Sequence, residues 1–401
     1  MIEITDKVKC CGCTACFNIC LKKCISMQPD TEGFLYPIVD KKQCVNCGLC
    51  EKVCPILNYK PLEEKTPAAY VIRTKNQNDL MQSTSGGFST PLAQWFFSKG
   101  GSVWTASYDN NWNVVHREFT KDDVDFSKTR GSKYVQSYLG DTYTKIQDEL
   151  KKGRWVCFIG TTCQVYGLKE FLKKDYENLI TVDLVCHGTP SPKLWEKYID
   201  FQTKKYNSRI TDINFRNKTY GYHSGTMMLK FENGKKYTGS ARVDYMLKSF
   251  FSEIASRPSC YTCKFKQLNR VSDYTVFDCW HMGELLGKKD DDRGYTNLLV
   301  HTDKGGELLK EIAAAYEIFQ VDAEKAIALD GIMVRNSATP HKDRASFYTD
   351  LDEHEMDEHI QKYIKVTSKD RLLESIKGIA YKGGLMATLR KIKGVKCVCY
   401  K

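Results

Sequence analysis

Nowhere does this chain carry an apolar run approaching eighteen residues, so it offers no helix able to span a bilayer. It has no Gly-x-Gly-x-x-Gly after its first strand-like run and no P-loop, which removes a Rossmann dinucleotide domain and a Walker-type site. Helix-turn-helix and zinc-finger spacings are missing, and aromatic residues do not interleave with a basic stripe. The formal charge of +11 therefore does not point to nucleic acid. Most of it is local, since residues 366–401 hold nine Lys and Arg against two acids, a net +7. The opening residues Met1 to Asp6 lack a basic and an apolar signal region, so a cytoplasmic location is expected. Apart from one doubled motif there is no internal repeat.

That doubled motif uses eight of the eighteen cysteines. Cys10-x2-Cys13-x2-Cys16-x3-Cys20 is followed by Cys44-x2-Cys47-x2-Cys50-x3-Cys54, with Pro55 after the second run. This is the spacing of a bacterial two-cluster ferredoxin, in which the fourth cysteine of each run ligates the other cluster. Cluster one is expected on Cys10, Cys13, Cys16 and Cys54, and cluster two on Cys44, Cys47, Cys50 and Cys20. The alternatives are paired zinc ribbons or a disulfide framework, and zinc sites seldom repeat three close cysteines with a fourth at +4. Leu21 stands where the first run would carry proline, and Cys11 and Cys24 are expected to pack as small buried hydrophobes. With 42% apolar and 12% aromatic residues, the rest reads as a globular body with a sizeable core.

A ferredoxin-like unit at 1–58 is followed by a polar, proline-containing linker and a larger domain expected over 68–350. Strand patterns at 69–73, 102–107, 114–119, 155–159 and 180–185 alternate with helical patterns at 88–98, 142–152, 163–173 and 193–203. The expected fold is thus α+β to α/β: a small two-cluster ferredoxin domain before a larger mixed α/β domain. Asn233-Gly234 predicts a hairpin over 230–237, residues 295–301 a buried strand, and 305–319 one more helix. The tail at 366–401 alternates apolar and basic residues, which suits an anionic membrane surface or docking on the same protein. Cys397 and Cys399 carry no readable pattern.

A second set of chemistry lies at expected strand ends. Cys163, Cys186 and the pair Cys260-x2-Cys263 could form a four-thiolate site for a further cubane or a structural zinc. Cys157 reads as core; Cys279 reads as core or as a substitute ligand. Ser83-Thr84-Ser85-Gly86-Gly87-Phe88 precedes a helix, where backbone N–H groups suit a phosphate. Gly131-Ser132-Lys133-Tyr134-Val135-Gln136-Ser137 adds a cation, an aromatic and hydroxyls, as a nucleotide or flavin edge would need.

Taken in order, Ser85-Gly86-Gly87, the 131–137 segment, Gly160-Thr161-Thr162-Cys163-Gln164, Val182-Asp183-Leu184-Val185-Cys186-His187-Gly188, Arg257-Pro258-Ser259-Cys260-x2-Cys263 and Asp278-x-Trp280 resemble the β-subunit family of deazaflavin (coenzyme F420) hydrogenases and dehydrogenases. The resemblance runs from about 68 to 350 and includes Asp291 to Gly294 and Asn336; Thr162 and Phe277 depart from its usual proline and glycine. It implies a core 4Fe-4S cluster on Cys163, Cys186, Cys260 and Cys263. It also implies FAD held by Ser85, Gly86, Gly87, Lys133, Tyr134, Ser137 and Thr161. Relatives bearing an added ferredoxin unit belong to bacterial polysaccharide gene clusters.

The function expected is a ferredoxin-dependent iron–sulfur flavoprotein oxidoreductase serving an organic acceptor, a deazaflavin or a polysaccharide precursor. Lys133 would favour the anionic reduced flavin, and His187 would donate a proton. An electron-relay subunit of a hydrogenase or dehydrogenase complex, and a redox-sensing scaffold, are the alternatives.

Overall fold

The computed structural model of the chain describes residues 1–63, 65–383 and 385. Cys397, Cys399 and the basic stretch at 389–393 lie outside the described residues. In the first unit, β1 (Ile25–Pro29) and β2 (Leu35–Val39) form an antiparallel pair. Two short helices, Ala15–Ile19 and Leu49–Lys52, carry Cys16 and Cys50.

The two cysteine runs repeat their backbone as well as their spacing. Gly12 and Asn46, two residues after the first cysteine of each run, are left-handed with φ of 71° and 53°. Thr14 and Gly48, two residues further on, are left-handed again with φ of 63° and 73°. A left-handed residue without glycine costs about 1–2 kcal/mol, so the conformation at Thr14 and Asn46 is imposed by the turn. Turns of this kind aim successive N–H groups into one concavity, which suits an anion or an iron–sulfur centre.

The body is built on strands β3 (Ala68–Thr74), β4 (Ser102–Tyr108), β5 (Val114–Phe119), β6 (Val156–Thr161), β7 (Leu179–Leu184), β8 (Ile210–Asn217), β9 (Thr226–Phe231), β10 (Lys236–Ser240), β11 (Tyr274–Asp278), β12 (Thr296–Val300) and β13 (Tyr316–Val321). Eight of them make one mixed sheet in the order β13-β3-β12-β11-β7-β6-β4-β5. The central β4, β6, β7 and β11 run parallel, and antiparallel strands close both sides. Val156, Cys157, Phe158 and Ile159 of β6 are all buried, as a parallel strand covered on both faces requires. β8, β9 and β10 form a separate antiparallel sheet, and Gly234 turns the predicted hairpin at φ 80°.

The nine strands and helices expected before residue 210 all occur, within a few residues of their limits. The predicted helix at 305–319 is corrected: it ends at Ile312, and Tyr316–Val321 is edge strand β13, antiparallel to β3. Aromatic and β-branched residues there favour a strand. β8 was not anticipated because Asp212 and Asn214 interrupt its apolar pattern, and β11 was not anticipated although Tyr274-Thr275-Val276-Phe277 favours a strand.

The ferredoxin unit is packed into the body. Phe34 and Tyr36 share a core with Trp195, Tyr198, Phe215 and Tyr348, while Ala15 and Val53 share another with Tyr143, Val165 and Leu168. Arg344 grips Glu32 through two bonds of 2.9 and 2.6 Å. Gly167, on helix Thr162–Leu172, lets that helix approach the first cysteine run; a Cβ there would lie 2.8 Å from Cys13 Cβ.

One buried ion pair fixes the strand ends that carry the core cysteines. Arg270 donates to Asp183 at 2.9 Å, and both side chains are 1% exposed. Asp183 lies in β7, and Arg270 also bonds Thr162, the neighbour of Cys163. Removing one partner strands a buried charge, so Arg270→Met should lower stability by about 3–5 kcal/mol in denaturant titration.

Candidate iron–sulfur and cofactor site

Within the ferredoxin unit, Cys10, Cys11, Cys13, Cys16 and Cys54 line one small cavity of about 20 Å³. Four of these five are the set expected for cluster one, including the crossed Cys54, and the fifth, Cys11, was expected only to fill space. Around the second set, Ile2 N–H donates to Cys50 Sγ at 3.3 Å and Asn46 N–H to Cys44 Sγ at 3.4 Å. Amide bonds to sulfur stabilise the reduced, more negative state of a cluster. Cys47 is exposed, so the second set faces solvent while the first faces the body.

The two surplus cysteines are not mere filler. Cys24 Sγ is 3.4 Å from Cys20 Sγ, and its thiol also engages Cys44. The thiol of Cys11 engages Cys13 on one side and Cys163 on the other. Cys11 thus stands between the first run and the body's own cysteines.

Cys163, Cys186, Cys260 and Cys263 converge from three places in the chain. Cys163 opens helix Thr162–Leu172 after β6, Cys186 follows β7, and Cys260 and Cys263 lie in and just after the turn Pro258–Thr262. Cys186 interacts electrostatically with all three others, and Cys263 with Cys163 and Cys260. Among the described residues, no three cysteine sulfurs lie within 4.8 Å of one another. A tetrahedral zinc with Zn–S of about 2.3 Å needs sulfurs about 3.8 Å apart. Cys157 and Cys279 are core, as expected for the first and as one of two readings for the second.

Arg257 connects the two cysteine groups. Its guanidinium is 1% exposed, yet its hydrogen bonds go to neutral acceptors: Cys10 O at 2.7 Å, Gln136 Oε1 at 3.0 Å and Leu35 O at 3.0 Å. It lies 4.0 Å over the Tyr36 ring and interacts electrostatically with Cys163 and Cys260.

Beyond these cysteines, at the carboxyl ends of the parallel strands, opens a cavity of about 320 Å³. Ser85, Gly87, Lys133, Tyr134, Ser137 and Thr161 line it, so the separated segments singled out in the sequence meet there. Gly86 sits behind the wall, where a Cβ would lie 2.3 Å from Ile72 O. Cys186 and His187 also line the cavity, which places one of the converging cysteines in its wall.

Lys133 donates to Thr129 O at 3.0 Å and Gly131 O at 3.3 Å, and burial lowers its pKa to about 7. His187 Nε2 pairs with the Glu253 carboxylate. Glu253 is left-handed at φ 61°, and its other oxygen, Oε2, is buried without a protein partner.

Three lining groups were missed by sequence reasoning. His116 Nε2–H donates to Ile159 O at 3.0 Å, which leaves Nδ1 as a buried acceptor without a partner. Burial holds this ring neutral by pushing its pKa down to about 4. Arg216 donates to Tyr134 and Asp278 and covers Trp280 at 4.6 Å. Gln164 Nε2 donates to Ser137 Oγ at 2.9 Å. Val114 and His116 alternate on β5, a pattern that could have flagged the histidine; nothing local marks Arg216 or Glu253.

Residues 9–57 match the 4Fe-4S dicluster domain, and residues 153–325 match the family described as the carboxyl-terminal part of the coenzyme F420 hydrogenase/dehydrogenase beta subunit. The chain is 21% identical over 345 residues to a subunit of the F(420)H(2) dehydrogenase of Methanosarcina mazei, covering 83% of this chain and 90% of that protein. The F420-reducing NiFe hydrogenase complex of Methanosarcina barkeri contains a chain matched with a TM-score of 0.42 and 17% identity, over 67% of this chain and 91% of that one.

Removing the positive charge of Arg257 should disfavour the reduced state of a neighbouring cluster. Arg257→Gln is expected to move the midpoint potential of the cluster at Cys10 more negative by roughly 59 mV, the one-electron equivalent of a tenfold change. Redox titration followed by electron paramagnetic resonance reads the shift.

Proposed function

We propose, from the match of residues 9–57 to the 4Fe-4S dicluster domain and of residues 153–325 to the carboxyl-terminal part of the coenzyme F420 hydrogenase/dehydrogenase beta subunit, that the chain is an iron–sulfur flavoprotein oxidoreductase. It would carry electrons from ferredoxin through 4Fe-4S clusters to FAD and on to an organic acceptor, a deazaflavin or a polysaccharide precursor. The observation that carries this reading is Cys186, which belongs both to the converging core cysteines and to the wall of the large cavity.

The residues fit the groups assigned to them. Paired left-handed turns, N–H bonds to sulfur and an unmatched buried guanidinium suit anionic clusters in the ferredoxin unit. Cys163, Cys186, Cys260 and Cys263 suit a third cubane. The cavity offers hydroxyls at Ser85, Ser137 and Thr161, the glycine turn at Gly87, and an acceptor without a donor at His116 Nδ1. Cubanes exchange single electrons and a flavin exchanges one or two, so FAD bound there would supply the junction to two-electron chemistry. Lys133 would hold positive charge against an anionic ligand. Tyr134, stacked on Phe250 with centroids 4.2 Å apart, would shape the aromatic wall. His187, oriented by Glu253, would hold a proton at the cavity wall.

A second reading is an electron-relay subunit of a larger complex. It is favoured by the relative from Methanosarcina mazei, which is itself named as one subunit of a dehydrogenase.

Iron, acid-labile sulfide, zinc and flavin content of anaerobically purified protein separates these readings. About twelve irons and one FAD per chain are expected from three cubanes and one flavin; about eight irons without flavin would contradict the reading. Cys260→Ser should remove about four irons and leave the ferredoxin clusters.

Lys133 adds a pH dependence. With its pKa at about 7, an anion entering the cavity draws a proton onto the amine, so affinity should fall as pH rises through 7. Fluorescence titration with FAD between acid and alkaline buffers measures this, and Lys133→Met should flatten the profile.

A further inference from the structure

The helix Ser368–Lys382 is held to the body by its polar side. Glu374 accepts from Ser240 N–H at 2.9 Å and from Ser240 Oγ at 2.6 Å. Lys377 donates to Ser224 O at 3.2 Å, and Asp370 faces Arg242 and Lys248 at 3.9 and 4.0 Å. Tyr381 closes the contact edge-on against Tyr220.

The opposite side carries the large apolar residues. Leu372, Ile376 and Ile379, spaced as one helical stripe, are 61%, 40% and 72% exposed, and Leu385 follows at 56%. A helix resting on a water-soluble body normally turns such a stripe inward. Here packing is exchanged for polar contacts, and the apolar stripe is left to face outward.

Charge identifies what this stripe suits. The two acids of residues 366–401, Asp370 and Glu374, are both engaged by the body, while nine Lys and Arg give the segment its net +7. A second copy of the chain meeting this face would bring two such segments together against their mutual repulsion. An anionic lipid surface instead offers apolar depth for the leucine and isoleucines and negative headgroups for the cations.

We propose that the outward face of this C-terminal helix rests on an anionic bilayer surface and holds the protein there peripherally. This goes beyond the electron path above and is independent of it, since none of these residues lines the cavity or carries a cluster thiol.

The test uses the full chain with its iron retained and vesicles of phosphatidylcholine, with and without phosphatidylglycerol. Wild type should sediment with the anionic vesicles at low salt, and not with the neutral ones. Leu372→Ser combined with Ile379→Ser should weaken that binding about tenfold or more, with iron content unchanged. Ile379→Glu, a charge at an exposed position, should do the same. High salt should also release the wild type. Equal binding by wild type and both variants would overturn the proposal, as would failure of wild type to bind. A wild-type dimer that the double variant converts to monomer in light scattering would assign the face to self-association and overturn it too.

Discussion

A buried positive charge needs negative charge nearby, and the hydrogen bonds of Arg257 all end on neutral oxygens. Desolvating a guanidinium among neutral groups costs several kcal/mol, so its position fits the proposal that thiolate-bound clusters stand on either side. One of its nitrogens holds the carbonyl of Cys10, and three residues later the same chain supplies Cys260. Arg257 therefore fixes the ferredoxin unit to the body at the place where the two cysteine groups approach. Gly167 against Cys13, and Cys11 between Cys13 and Cys163, belong to the same junction.

From that junction the arrangement is ordered. The second cysteine set, with exposed Cys47, lies at the solvent end; the first set lies at the interface; the core cysteines follow; and the cavity stands behind Cys186. The sheet makes this possible, because β6 and β7 are parallel neighbours and end together. Cys163 and Cys186 are delivered side by side, and the Arg270–Asp183 pair holds both ends in place. The turn at Pro258–Thr262 needs only to bring Cys260 and Cys263 to an existing edge.

Much of this was readable because it was local. Cysteine spacing dictates backbone turns, and the repeated left-handed residues at Gly12, Thr14, Asn46 and Gly48 are the physical content of that spacing. Leu21, out of place beside a proline at the equivalent point in the second run, is 84% exposed and disturbs no ligand. The segments around Ser85, Lys133 and Thr161 could be singled out by composition, and the strand order then brought them to one cavity. What stayed hidden depends on contacts between distant parts of the chain. The 305–319 segment reads as helix by pattern, yet β3 recruits its last four residues into an edge strand. Arg216 and Glu253 have no local signature, and the role of Arg257 exists only once Cys10 is folded against it. The C-terminal helix is amphipathic by sequence, but which side meets the body is set by Ser240 and Ser224.

Stopped-flow reduction under strict anaerobiosis tests the ordered path most directly. Protein carrying clusters and FAD is mixed with reduced ferredoxin while cluster and flavin absorbance are followed together. Wild type should show cluster bleaching followed by flavin bleaching. In Cys54→Ser, which removes the ligand proposed for the cluster at the interface, the solvent-side cluster should still bleach while the flavin stays oxidised. Flavin bleaching at the wild-type rate in that variant would contradict an electron path through the Arg257 junction.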